Sequence, residues 1–272
     1  MLLKLEAEGK LSLDDTVEEW LPGVVRGKGY RTLYAGDEFN KNRHVRWSPG
    51  ELVDIALAHP PNFQPEQGSR PGKPGRWDYS DTNYIVAGMV IEKATGGTYA
   101  QAVERLLIRP LGLRGTQVPG TSPRLPAPHA RHYSTLFEDA PEAEVRDVTE
   151  FSPTVAFSAG QMISTVGDVN TFLSKLLAGE LLPPAQQRQL LDTVHVDGDK
   201  GHGGPQDRYG LGIRHFKLKE GCWAWGHGGM IPGSATRTLA SAGRRVMTMN
   251  RNGDWGEQRL EDAAVETEFC GL

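Results

Sequence analysis

The sequence is poor in cysteine and has no long apolar run. Its two cysteines, Cys222 and Cys270, stand far apart, which excludes a cysteine-ligated zinc cluster and a CxxC redox pair. No segment approaches the roughly 20 apolar residues that a bilayer-spanning helix needs, so no membrane span is expected. Charge of one sign is lacking too: 30 Lys and Arg against 34 Asp and Glu leave a net charge of -4. That balance gives neither nucleic acid nor an anionic membrane an electrostatic reason to bind. Met1 is followed by Leu2, Leu3, Lys4 and Leu5 and then by the charged stretch from Glu6 to Lys10. A secretory signal would need a basic start, a longer apolar core and a small-residue cleavage site. Glycine and proline are abundant, 33 and 18 of 272 residues, a turn-rich composition that excludes a coiled coil or a long helical array.

Residues 2–8 read as the end of a helix capped by Gly9, and Ser12 to Trp20 as a short helix ended by Pro22-Gly23. Ser48 and Pro49 open another helix, with Leu52, Ile55 and Ala56 on its buried face. A proline-rich loop covers 60–76. Two amphipathic helices follow, Tyr84–Ala94 and Thr98–Ile108, separated by Thr95-Gly96-Gly97, and further helices lie near Thr165–Ala178 and Pro184–Thr193. After His195 the runs Tyr209–Phe216, Cys222–Trp225, Ala235–Ala240 and Arg244–Met249 are strand-like, and Gln258–Phe269 is a closing helix. The expected class is α+β, with residues 1–200 a mainly helical region and 201–272 the C-terminal antiparallel strands and last helix of the same domain.

Two segments carry chemistry. In Trp77-Asp78-Tyr79-Ser80-Asp81, a tyrosine and a polar residue just before a buried helix can point together into a cleft, where a phenol whose pKa a neighbouring cation lowers can serve as general base. Alone, Tyr79 more often reads as a loop tyrosine packed on that helix. In Trp225-Gly226-His227-Gly228-Gly229-Met230, glycines on a strand let a ligand approach the backbone and bond with it. Alone, this is a tight turn with a lone histidine. His129 and His132 have an HxxH spacing, but Pro126 and Pro128 oppose a helix and no third ligand is near, so no metal is expected. His195, Asp197 and Asp199 read as a solvated loop.

Taken in order, the Tyr79 loop, Ser158-Ala159-Gly160 with Ile163-Ser164-Thr165 and Asp168, the Tyr209-Gly210-Leu211-Gly212 run and the His227 strand resemble the serine penicillin-recognising hydrolases. These are class C β-lactamases, related esterases and D-Ala-D-Ala carboxypeptidases. The likeness is greatest to the secreted actinomycete carboxypeptidases, through Glu8-Gly9-Lys10-Leu11-Ser12, Leu21-Pro22-Gly23, Val86-Ala87-Gly88 and Phe269-Cys270-Gly271. The resemblance implies a β-lactamase/transpeptidase-like fold, a helical region plus an antiparallel sheet flanked by helices. It further implies an acyl-enzyme mechanism on an amide or ester, whether β-lactam, small ester or peptidoglycan peptide, without metal or organic cofactor. Tyr79 and Asp81 would be catalytic, while His227, Gly228, Gly229 and Arg214 would bind substrate. Cys222 and Cys270 would form a disulfide, with two free thiols as the alternative. Full-length relatives would work outside the cell or in its envelope.

The family's S-x-x-K nucleophile motif is not found, because no serine here has lysine at the third following position. Alignment through Leu2 to Lys10 places it before Met1, so an N-terminally truncated chain is expected. Tyr-x-Asn reads Tyr79-Ser80-Asp81, an acceptor-only carboxylate in place of an amide. The strand threonines of the carboxypeptidases are replaced by Gly228 and Met230. A hydrolase lacking its nucleophile and a non-catalytic remnant or binding protein using the old cleft both fit.

Overall fold

The computed structural model describes residues 1–24, 36–60, 77–138, 142–196, 206–219, 221–241, 245–255 and 259–271. Most of the expected proline-rich loop (61–76), Asp197, Asp199, Arg244 and Gln258 lie outside them. Short-range chemistry sets the helix starts. Helix α1 (Leu2–Ala7) precedes α2 (Val17–Trp20), α3 (Gly36–Asn42), α4 (Pro49–Leu57), α5 (Asp81–Thr95) and α6 (Tyr99–Val103). Thr16 with Glu19, Ser48 with Glu51 and Thr98 with Gln101 form reciprocal capping boxes at α2, α4 and α6, each satisfying two otherwise orphaned backbone donors. Gly96 ends α5 in the left-handed region, at φ 67°, where a side chain would be strained. A π-helical turn (Glu104–Ile108) leads from α6 into α7 (Arg109–Leu111).

Helices α8 (Phe157–Gly160), α9 (Val166–Leu177) and α10 (Pro184–Leu191) follow a two-stranded ribbon of β1 (Tyr133–Ser134) and β2 (Arg146–Asp147). The main sheet is antiparallel, in the order β3 (Val194–His195), β4 (Arg208–Tyr209), β5 (Arg214–Lys219), β6 (Cys222–Ile231), β7 (Ser234–Ala240) and β8 (Val246–Arg251), and α11 (Arg259–Cys270) closes the described chain. The run expected as one strand over 209–216 is two, because the chain turns at Gly210–Ile213. The run expected to stop at Trp225 continues to Ile231, held by seven residue pairs with β7. His195, expected in a loop, pairs with Arg208 in β3–β4.

Strand alternation gives the sheet two apolar faces. Trp225 and Ala240 pack with Leu3, Leu173, Leu190 and Ile213, joining the sheet to α1, α9 and α10. Ala224 and Leu239 pack with Val265 of α11 on the other face. Within the helical region, Leu5 joins Ile91, Val103 and Leu106, while Leu52, Val53, Ile85, Val86 and Val90 bind α4 to α5. Each fully buried aliphatic side chain contributes about 1.5–3 kcal/mol. Helix α1 is therefore a hinge-pin between layers, its Leu3 in the sheet cluster and its Leu5 in the helical one. Cys222 and Cys270 are bonded, tying the first residue of β6 to the last of α11.

Two outcomes test this packing. Reducing and alkylating the disulfide, which closes a separation of 48 residues, is expected to lower unfolding stability by about 2–4 kcal/mol in urea denaturation. A Cβ at Gly226 would lie 2.0 Å from the Thr238 carbonyl oxygen, whereas one at Gly229 meets nothing within 4 Å. Gly226→Ala should cost about 3 kcal/mol or more and Gly229→Ala under about 1, measured by the same titration.

Candidate active site

The expected site residues come from two layers. Trp77 to Ser80 approach α5 without regular structure, and Ser80 caps the helix in an extended conformation without a side-chain bond. Asp81 is the first residue of α5, where the helix dipole favours its negative charge. One turn later, Tyr84 directs its ring back toward Tyr79, with ring centroids 5.6 Å apart. From the sheet, β6 presents His227 to the same place. The Tyr79 and His227 centroids are 6.2 Å apart, and Tyr209 stands 6.1 Å from Tyr79 and 5.7 Å from His227. Trp77 lies 5.0 Å from Tyr209 and completes the cluster.

Beside this cluster β6 has an open side. Its pairing with β5 runs from Lys219↔Cys222 to Arg214↔Gly226, and its pairing with β7 from Trp225↔Ala240 to Ile231↔Ser234. Among the described residues, His227 to Ile231 therefore pair with β7 alone. Gly228, Gly229 and Met230 are exposed, so this edge can bond an extended amide as a further strand would.

A directed hydrogen-bond chain supports the edge. His227 Nδ1 lies 2.6 Å from its neighbour's Gly228 carbonyl, which can only accept, so Nδ1 carries the proton. In the neutral ring Nε2 is then an acceptor, and the Tyr209 hydroxyl donates to it at 2.9 Å. Tyr84 in turn donates to Tyr209. Burial pushes the Tyr209 phenol well up from its ordinary value, and the neighbouring Tyr84 adds to the rise. Burial also raises Tyr84, the bond to Tyr209 opposes this, and the Asp81 charge adds to it. Both phenols stay protonated donors. The turn that delivers Tyr209 needs its glycines: a Cβ at Gly210 would be 2.3 Å from the Leu190 carbonyl oxygen, and Gly212 has φ +82° beside the Tyr84 ring.

Arg214 stands across from Tyr209 in the β4–β5 pairing and across from Gly226 in the β5–β6 pairing, its guanidinium lies 5.1 Å from the Phe216 ring centroid, and its charge opposes the rise of the Tyr84 and Tyr209 phenols. It is buried and ion-paired to the equally buried Asp207 at 3.6 Å. The segment around Ser158 and Asp168 is scaffold. Ser158 donates to the Tyr84 carbonyl at 2.7 Å, and Asp168 accepts from the Gly115 amide and the Thr116 hydroxyl. His129 and His132 each bond a backbone carbonyl through Nδ1, and among the described residues no group of three or more His, Cys, Asp or Glu could hold a metal ion. No described helix is long and apolar enough to cross a membrane.

A family profile described as Beta-lactamase matches residues 1–267. The chain belongs to that family. Its solved relatives include a D-stereospecific amidohydrolase from Streptomyces sp., 38% identical, with a TM-score of 0.86 over 100% of this chain and 83% of that one. The D-amino acid amidase from Ochrobactrum anthropi SV3 shares the fold, at 23% identity and a TM-score of 0.77 over 98% of this chain and 79% of that one. Among curated sequences, a protein described as penicillin-binding, PbpX of Bacillus subtilis, is 24% identical over 92% of this chain and 58% of its own length. The chain thus spans little more than half of that relative. The helical region and antiparallel sheet described above are the β-lactamase/transpeptidase-like fold of this family.

The direction of the hydrogen-bond chain can be checked. In nitrogen-15 NMR at neutral pH, His227 should show a protonated Nδ1 and an unprotonated Nε2, and Tyr209→Phe, which removes the donor to Nε2, should give a mixture of tautomers. An Nε2-protonated ring in the unsubstituted protein would reverse the assignment.

Proposed function

We propose that this chain forms the substrate-facing wall of a serine-type amide hydrolase of the Beta-lactamase family. The observation that carries this reading is the meeting of Tyr79 with the open edge of β6 at His227, 6.2 Å between rings. An amide laid along His227 to Met230 has its carbonyl fixed by backbone bonds and its leaving nitrogen near a phenol. Tyr79 then exchanges a proton with the nucleophile or the leaving group, and Asp81 orients that proton network. Such placement of reactants supplies much of the rate enhancement in acyl transfer.

The chemistry proceeds through an acyl-enzyme on the serine of an S-x-x-K motif, which residues 1–272 do not contain. Amides are favoured over β-lactams by likeness to the Streptomyces amidohydrolase, 38% identical across the whole chain. The Gly228 and Met230 positions point the same way, since they carry no hydroxyl to hold a substrate carboxylate. Arg214, the other candidate for that role, is paired to Asp207.

Activity is tested on the chain alone and on the chain joined to an S-x-x-K-bearing N-terminal segment, with D-phenylalaninamide and a fluorescent penicillin. The chain alone should neither hydrolyse the amide nor take up label, because nucleophile and base act as a unit. The joined form should hydrolyse the amide. Labelling of the chain alone would reveal a different nucleophile. A folded joined form without hydrolysis would favour a binding protein.

A further inference from the structure

We propose that the cleft continues past Gly229 into a subsite on β7 and β8, where the Thr236 and Ser234 hydroxyls, directed by Asn250, donate to an uncharged carbonyl oxygen on the ligand's side chain. The proposal rests on the amide reading of the β6 edge and adds what the neighbouring strands recognise.

The register places these residues together. Gly229 stands across from Thr236, Thr236 across from Asn250, and Ile231 across from Ser234. Strand alternation puts Gly229 on the same face as His227 and Trp225, the face that meets α9 through Leu173. Nearer α9 the hydroxyls of this face bond one another: Thr248 lies 2.7 Å from Asn170 of α9 and 2.7 Å from Thr238. One row further out, Gly229 and Asn250 are exposed, and a Cβ at Gly229 would meet nothing within 4 Å. Adjacent strands lie about 4.8 Å apart, so a ligand strand on the open edge of β6 stands about 10 Å from β7. A ligand side chain turned to this face crosses over Gly229 unobstructed and meets Thr236.

The direction of the hydrogen bonds sets what the row offers. Asn250 Nδ2 lies 2.8 Å from Thr236 Oγ1, 2.9 Å from Ser234 Oγ and 3.3 Å from the Ala235 carbonyl oxygen. That carbonyl can only accept, so the amide turns its nitrogen to this side and gives its two N–H groups to the two hydroxyls. Each hydroxyl therefore accepts from Asn250 and keeps its own proton to donate, and no bond among the described residues uses either proton. Charge decides which acceptor fits. The strand cations beside the row, Arg237 and Arg251, are held by Asp262 and Glu261 of α11 at 2.6 and 3.4 Å, and α11 packs on the other face through Val265. A carboxylate entering the row would lose water without gaining a cation, whereas a neutral carbonyl is satisfied by a hydroxyl bond.

The test is equilibrium binding to the oxidised chain, which needs no turnover. Calorimetric titration uses three amides: D-glutaminamide, whose side chain ends in a neutral carbonyl; D-isoglutamine, in which that end is a carboxylate; and D-leucinamide, in which it is apolar. Thr236→Val, which keeps the shape and removes the hydroxyl, should weaken D-glutaminamide about fivefold and leave D-leucinamide within about twofold, which also shows that the variant is folded. Thr236→Ser should restore D-glutaminamide binding. The unsubstituted chain should bind D-isoglutamine more weakly than D-glutaminamide. Asn250→Asp turns the donor into an acceptor that takes up the hydroxyl protons, so it should lose D-glutaminamide affinity as Thr236→Val does. Equal loss of D-leucinamide and D-glutaminamide in Thr236→Val, or loss of neither, would overturn the subsite and leave the amide reading standing. Tighter binding of D-isoglutamine would overturn the preference for an uncharged acceptor, and unchanged affinity in Asn250→Asp would overturn its directing role. Binding of none of the three amides would overturn the subsite and the amide reading together.

Discussion

Everything at the site depends on β6 losing one of its two neighbours at Gly226. Cys222 to Ala224 pair with β5, Trp225 and Gly226 with both neighbours, and beyond Gly226 β7 alone remains among the described residues. The changeover is held by close backbone packing, since the space where a Cβ would stand at Gly226 is taken by the Thr238 carbonyl. A ten-residue strand with three glycines has low intrinsic preference for extended structure. It persists because long-range pairing with β7, apolar burial on both faces and the link from Cys222 to Cys270 impose it. The result is a rigid strand with an accessible edge, which is what a backbone-recognising site requires.

The helical layer supplies the other half through one stretch of chain. Tyr79, Asp81 and Tyr84 fall within six residues at the start of α5, and Tyr209 links Tyr84 by hydrogen bonds to His227. That connection crosses the boundary between the layers, so helical packing and sheet packing must both be correct for the cluster to form. Helix α1 enforces the agreement, with Leu3 in one core and Leu5 in the other. Positioning of the aromatic cluster is accordingly a property of the whole fold.

Local signals in the sequence were legible and distant ones were not. Ser48, Pro49 and Glu51 mark the start of α4 because capping is settled within four residues. The start of α5 was read at Tyr84 instead of Asp81, since Ser80 caps it without a side-chain bond and leaves no such mark. Strands 209–216 and 222–225 were misjudged for one reason: glycines that look like breaks are tolerated or required by neighbours far away in sequence. The residues of the Tyr79 and His227 motifs were visible through resemblance. The parts played by Tyr84 and Trp77, and the donor role of Tyr209, emerge only when the two layers are brought together.

The most direct test of one cleft built by both layers is nuclear Overhauser contact between a bound phenylalaninamide and assigned protein protons. A single bound ligand should show contacts both to the Tyr79 ring and to the backbone of His227 to Gly229. Contacts confined to one layer, or found at neither segment while the ligand is bound, would contradict the account.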